Sequence, residues 1–202
     1  MANPPFEIAL IAGLGNVGAK YEHTRHNMGV DLLMRLCDRY NISLNPESRF
    51  FGLVGRGQIE KHDVRLVFPT TYMNESGRAV GALCNFYRIA PEQVLVLHDE
   101  MDLPPGALKL RFGGGLAGHN GLKSICASLG SSQNFWRLRI GIGKAPADVI
   151  SFVLNRPDPH DRSLLDEALD GALDGITTAF KSGAERGIAA VNGFKPASFK
   201  KE

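Results

Sequence analysis

Two hydrophobic periods alternate along this chain. Residues 6–12 read as a buried strand. Met28, Leu32, Leu33, Leu36 and Tyr40 then recur at helical spacing, with Thr24 as the expected N-cap. Residues 50–59 and 64–68 are strand-like and are separated by the turn-like EKHD. Val80, Leu83, Cys84 and Tyr87 mark a second helix, and Pro91 follows its end. Residues 94–97 are a short, wholly apolar strand. Residues 107–112 and 136–142 alternate like strands with one exposed face. A glycine loop and a short helix near 122–129 lie between them. Leu165, Leu169, Leu173 and Ile176 give a last amphipathic helix, with Asp166, Asp170 and Asp174 on its wet side. Strands interleaved with helices throughout predict an α/β fold: a single compact domain over residues 1–202, with a twisted mixed β-sheet flanked by helices. The tail NGFKPASFKKE is expected to be loosely held.

Composition adds exclusions. At 202 residues, 44% hydrophobic and 22% charged, the chain is of ordinary globular type and can bury a sizeable core. It has no run of eighteen apolar residues, hence no expected transmembrane span, and MANPPFEIAL has no signal-peptide pattern. Cys37, Cys84 and Cys126 are widely spaced among apolar residues and read as reduced core cysteines of a cytoplasmic protein. No pair of them has metal-ligand spacing, and no H-x-x-x-H occurs, so no metal site is expected.

The net charge of +2 says little, but its distribution says more. Residues 103–147 contain no Asp or Glu, yet hold Lys109, Arg111, Lys123, Arg137, Arg139 and Lys144. Residues 158–174 run the other way, with six acidic residues against Arg162. The switch fits a basic face for a polyanion, or a set of unrelated solvated residues; charge alone does not choose.

IALIAGLGNVG carries a literal G-x-G-x-x-G at Gly13, Gly15 and Gly18 after the first strand. A dinucleotide fold needs a helix to begin inside that turn and an acidic residue about twenty positions on. Here AKYEHTRHN follows, with no apolar stripe, and Asp31 falls inside the later helix. A second match in RFGGGLAGHNG lacks the G-K-[ST] ending of a phosphate-binding loop. Each glycine loop instead delivers an asparagine, Asn16 or Asn120.

Further uncommon polar residues sit near the ends of apolar segments, where ligands gather in open α/β sheets. TRHN offers His26 and Asn27, PTTYMN offers Tyr72 and Asn74, and LHDEMD offers His98, Asp99, Glu100 and Asp102. His plus Asp suffices for general-base hydrolysis, because a carboxylate can fix the imidazole tautomer and stabilise its cation. Carboxamides can meet an acyl oxygen as it becomes an oxyanion. G-x-S-x-G is absent, which favours attack by water over an acyl-enzyme. Each residue also has a plainer reading. His26 could be a cap-region side chain, Asp99 a loop carboxylate satisfied by backbone, and His62 and His160 solvated. His119 is open as participant or loop support.

Taken together, GLGN…TRHN-x-G, PTTYMN-x-SG, HDE-x-DLPPG, GGG-x-x-GHNGLKS and RLRIGIG, in this order, resemble bacterial-type peptidyl-tRNA hydrolases. The resemblance runs from about residue 8 to FVLNRP and more loosely to the last helix. It implies cleavage of the ester joining a peptide to the 3′ end of tRNA, by a monomer without cofactor, metal, membrane or obligate protein partner. It implies that His26 activates water, that Asp99 orients and stabilises it, and that Asn16 tells N-blocked from free aminoacyl-tRNA. Asn74 and Asn120 would bind the peptide–ribose region, and Tyr21 and Tyr72 would line the cleft for the tRNA end. Lys109, Arg111 and Arg139 would hold phosphate. Departures are Val17 in place of a common proline, Leu116–Ala117 in place of a more polar or glycine-rich pair, and Arg111 in place of a frequent lysine. KAPADV is short and is expected to add little to the tRNA grip. An RNA-binding module without catalysis is the alternative from another class.

Overall fold

The computed structural model describes residues 2–197. Seven strands form one sheet in the order β2-β3-β4-β1-β5-β7-β6. They are β1 (Leu10–Gly13), β2 (Asn45–Glu47), β3 (Gly52–Ile59), β4 (His62–Pro69), β5 (Val94–Glu100), β6 (Leu108–Phe112) and β7 (Trp136–Gly141). β4, β1, β5 and β7 are mutually parallel, while β2, β3 and β6 join antiparallel at the edges. The expected α/β class with a mixed sheet is therefore borne out.

Helices cover both faces. On one face, Leu32, Leu33 and Leu36 of α1 (Met28–Tyr40) join Leu165, Leu169 and Ile176 of α5 (Pro159–Ser182) in one apolar cluster. On the other, α2 (Gly77–Tyr87) and α3 (Asn120–Ser128) bury Val80, Leu83, Leu122 and Ile125 against Leu10, Ala12 and Val96. Two further helices, α4 (Val149–Val153) and α6 (Ala184–Asn192), lie outside the elements expected from the sequence.

Several expectations need correction. The first strand begins at Leu10, not residue 6, although Phe6 and Ile8 still enter the core. Thr24 does precede a helical turn (Arg25–Asn27), but its hydroxyl donates to the Tyr21 carbonyl and caps nothing. His62 opens β4 instead of sitting in the turn, and its Nε2 lies 3.0 Å from the Phe180 carbonyl oxygen. β7 has no exposed face, because Arg137 is buried. The tail is held as far as Pro196: Asn192 accepts the Leu110 N–H, and Phe194 packs on the core. Residues 198–202 of that tail lie outside the described residues.

The acidic side of α5 is no free surface. Arg35 of α1 reaches Asp166 at 3.1 Å and Asp170 at 2.6 Å, and Arg39 reaches Asp174 at 2.9 Å. These pairs fix α1 against α5. Their partial exposure limits each to about 1 kcal/mol or less.

Candidate active site

The glycines of the first loop serve packing. A Cβ on Gly13 would meet Leu33, and one on Gly29 would overlap the Leu97 carbonyl oxygen. Only glycines let the start of α1 lie directly on the carboxyl ends of β1 and β5. Gly18, at φ +115°, then turns the chain in the left-handed region before the short turn Ala19–Tyr21. The result brings His26, one residue short of the helix N-cap, over the end of β5, where Asp99 lies.

His26 Nδ1 is 3.0 Å from both carboxylate oxygens of Asp99. His119 Nε2 is 3.0 Å from Asp99 Oδ1. An ionised carboxylate only accepts, so both imidazole nitrogens donate. Asp99 is buried. Burial opposes its ionisation, but His26 and His119 outweigh that effect and hold its pKa well below the ordinary carboxylate value. Burial likewise opposes protonation of His26, and the charge and hydrogen bond of Asp99 outweigh it, so the His26 pKa lies above its usual value. The ligand atoms of His26, Asp99 and His119 lie within 4.8 Å of one another. The resemblance implies the pairing of His26 with Asp99, whereas the sequence leaves the part of His119 open. The contacts of the three read as a hydrogen-bond relay, with the proton of each facing nitrogen directed at the carboxylate.

His98, also in β5, takes no part in that relay. Its Nδ1 bonds the Asp99 carbonyl oxygen at 2.8 Å, and its buried Nε2 has no partner among the described residues. Burial, aided by His119, pushes its pKa down to about 3. Two of the buried thiols are equally inert. Burial with the nearby Asp38 charge pushes Cys37 up to about 11, and burial pushes Cys84 up to about 12.

His26, Asp99 and His119 open on a cavity of about 240 Å³ whose wall also includes Asn16 and Asn120. Met73, Met101, Val149, Ile150, Val153 and Leu154 form its apolar side. Asn74 is exposed in the turn Met73–Glu75 and does not line this wall, although its neighbour Met73 does. Tyr21 and Tyr72 line a second depression that shares Asn16 with the first. Tyr72 is 79% exposed, which leaves its ring face open.

The acid-free stretch folds into a basic edge. The β6–β7 register pairs Lys109 with Arg139 and Arg111 with Arg137, so all four side chains leave one face of the sheet. Arg111, Arg137 and Arg139 surround a depression that meets the main cavity at Ala117. Their environments differ. Arg137 lies over the Phe135 ring and donates to the Gly115 and Gln133 carbonyls. Arg139 pairs with the buried Glu100 at 2.7 Å. Lys109 and Arg111 are exposed.

Sequence reasoning missed two supports. In the sequence Asn27 stands out only as a neighbour of His26. Its Oδ1 accepts the Asn16 N–H at 2.7 Å, and its Nδ2 donates to the Asn16 carbonyl at 2.9 Å. Arg25 holds the segment after the basic stretch. Its Nη1 donates to the carbonyls of Phe152, Asn155 and Arg156, and its guanidinium lies 4.2 Å from the Phe152 ring centre. The arginine beside the histidine in TRHN is the signal that the sequence offers.

A family model described as peptidyl-tRNA hydrolase matches residues 10–200. The chain belongs to the peptidyl-tRNA hydrolase family. It is 54% identical over 191 residues to the peptidyl-tRNA hydrolase of Haemophilus influenzae, covering 94% of this chain and 98% of that one. It is 49% identical to that of Pasteurella multocida, again over 94% and 98%. The crystal structure of peptidyl-tRNA hydrolase from Acinetobacter baumannii superposes with a TM-score of 0.91 at 44% identity, covering 95% of this chain and 98% of that one. The resemblance read from five short motifs thus extends to a peptidyl-tRNA hydrolase fold over nearly the whole length. No helix among the described residues is long and apolar enough to cross a membrane.

Proposed function

We propose that this peptidyl-tRNA hydrolase frees tRNA by directing a water, activated at His26, onto the ester carbon that joins peptide to tRNA. The observation that carries this reading is the His26–Asp99 pair opening on one cavity with Asn16 and Asn120. Because His26 Nδ1–H donates to Asp99, Nε2 is left as the basic lone pair. Nε2 takes a proton from water as the oxygen attacks the carbonyl. The resulting oxyanion collapses, the bond to the tRNA ribose oxygen breaks, and the imidazolium returns the proton to that oxygen. Atoms and charge balance with water alone, so the scheme uses no cofactor.

Asn16 offers a donor and an acceptor to the peptide bond next to the ester, which a free ammonium cannot match. Asn120 and, from the turn beside Met73, Asn74 meet backbone groups of the peptide and the ribose. Contacts of this kind are blind to peptide sequence. Tyr21 and Tyr72 supply ring faces for the unpaired tRNA end, and Lys109, Arg111 and Arg139 supply cations for its phosphates. The enzyme acts as a monomer in the cytoplasm. The test is release of N-blocked amino acid from acylated tRNA. His26→Ala should lose most turnover and bind tRNA almost normally. Full activity in that variant would overturn the assignment of the base.

A further inference from the structure

The two ring nitrogens of His119 face different elements. Nδ1 accepts the backbone N–H groups of Gly121 at 3.1 Å and Leu122 at 3.3 Å, which makes His119 the N-cap of α3. An acceptor at Nδ1 leaves the proton on Nε2. That proton points at Asp99 Oδ1, 3.0 Å away, on the same carboxylate that takes the Nδ1 proton of His26. The tautomer of His119 is therefore fixed by the helix it starts. Nδ1 is occupied by both cap bonds, so the side of His119 that faces Asp99 is a fixed Nε2–H donor.

We propose that His119 is a positioning residue that acts on His26 through Asp99, orienting the carboxylate and drawing off part of its charge so that His26 is free as a base at lower pH. The proposal rests on the reading of His26 as that base. A carboxylate that already accepts one hydrogen bond attracts a second partner's proton less strongly. Without His119, all of the Asp99 charge would bear on the His26 imidazolium, and His26 would hold its proton to higher pH.

The other charged or titratable groups nearby do not duplicate this effect. His98 of β5, its ring 5.3 Å from that of His119, is held neutral by burial. Glu100 lines the cavity but is paired with Arg139. The α4 wall contributes only Val149, Ile150 and Val153, and Leu154 follows it.

The test is a 15N-detected titration of His26 in the full chain, in wild type, His119→Ala and His119→Asn. Asparagine is a good N-cap, but its side chain reaches no farther than the Nδ1 position and cannot bond Asp99. His119→Ala should lose thermal stability, and His119→Asn should regain much of it. In both variants His26 should bind its proton about three- to tenfold more tightly, and the acid limb of kcat/KM should move up in step. Wild-type titration of His26 in both variants would overturn the proposal. So would a shift present in His119→Ala and absent in His119→Asn, since the effect would then belong to the cap. A shift in the His26 titration that the acid limb of kcat/KM does not follow would uphold the His119 coupling and overturn His26 as the base.

Discussion

Asn27 holds Asn16 by its backbone from both sides, accepting its N–H at 2.7 Å and donating to its carbonyl at 2.9 Å. The pair ties the end of β1 to the turn that carries His26. Asn27 spends its whole carboxamide on this clamp, which is why it gives α1 no side-chain cap. Asn27→Ala should therefore free the backbone of Asn16, eleven residues away, and loosen the turn of its neighbour His26, letting the two drift relative to one another. A misplacement on the order of 1 Å costs up to about 100-fold in rate. The expected result is a 10- to 100-fold loss of kcat/KM, together with a smaller preference for N-acetyl-aminoacyl-tRNA over aminoacyl-tRNA. Kinetics on both substrates check it; an unchanged preference would mean that the clamp does not set Asn16.

Asp99→Asn should be far more damaging than its small change in shape suggests. The carboxylate accepts from both His26 and His119. A carboxamide oriented to satisfy His119 would turn its NH₂ toward His26 and move the His26 proton to Nε2, the wrong nitrogen for a base. A loss in kcat of about 10²- to 10⁴-fold is expected, by analogy with the same change in serine protease triads. The pH dependence has a defined sign. In wild type the His26 pKa is raised by Asp99, so the acid limb of kcat/KM should fall above the ordinary histidine value, about 6.5. The raised His26 pKa stabilises the fold below about pH 6.5 and loses that contribution as pH rises through the folded-state value. The depressed Asp99 pKa stabilises above about pH 3.9 and loses it in stronger acid. The stability gap between wild type and Asp99→Asn should thus be widest at about pH 4 to 6.5 and narrow above neutrality. Chemical denaturation across pH measures it.

What could be read from the sequence was whatever a local pattern encodes. Six of the seven strands, all but β2, and the stripes of α1, α2 and α5 follow periodicity, and His26 and Asp99 follow motif resemblance. The losses have physical causes. The alternation of Trp136, Arg137, Leu138 and Arg139 imitates a half-exposed strand, but the β6–β7 edge and the glycine loop close over Arg137. The stripe of α6 is short and made largely of small residues: Ala184, Gly187, Ile188 and Val191 face the core. Gly187 lies against Ala179, and Val191 occupies the space beside Gly175. α4 is a single short turn held by Arg25, a contact across more than 125 residues that no window along the chain contains. The role of His119 depended on which nitrogen faces which element, and only coordinates supply that.

Arg139 and Arg111 should separate two effects that a simple charge count merges. Arg139 neutralises Glu100, which is only 4% exposed at its side chain. Arg139→Ala would strand that carboxylate and should destabilise the fold by about 3 kcal/mol or more. Arg111 is exposed, and its removal should leave the melting temperature nearly unchanged. Both variants should weaken tRNA binding and reduce the salt slope by about one unit for each lost phosphate contact. Melting curves and tRNA affinity at several salt concentrations decide it. Equal destabilisation by the two variants would contradict the Arg139–Glu100 pairing.

Arg25 should control one wall of the cavity without touching the dyad chemically. Its Nη1 bridges three carbonyls, those of Phe152, Asn155 and Arg156, and its backbone N–H donates to Asn155 at 3.1 Å. α4 packs little else into the core: Val153 is its only buried residue, and Ile150 is 70% exposed. Its position is thus set by polar contacts to Arg25 and by the stacking of the guanidinium on Phe152. Arg25→Met keeps much of the apolar volume and removes every side-chain donor. Charge-assisted hydrogen bonds contribute about 1.5–3 kcal/mol, enough to release a five-residue helix while the sheet stays intact. The expected signature is faster hydrogen exchange confined to residues 149–156 and a KM increase of several-fold. The kcat should fall less, because the His26–Asp99 bond does not pass through Arg25. Global loss of protection in Arg25→Met would show instead that Arg25 supports the core. An unchanged exchange rate at 149–156 would show that the apolar contact of Val153 alone holds α4 in place.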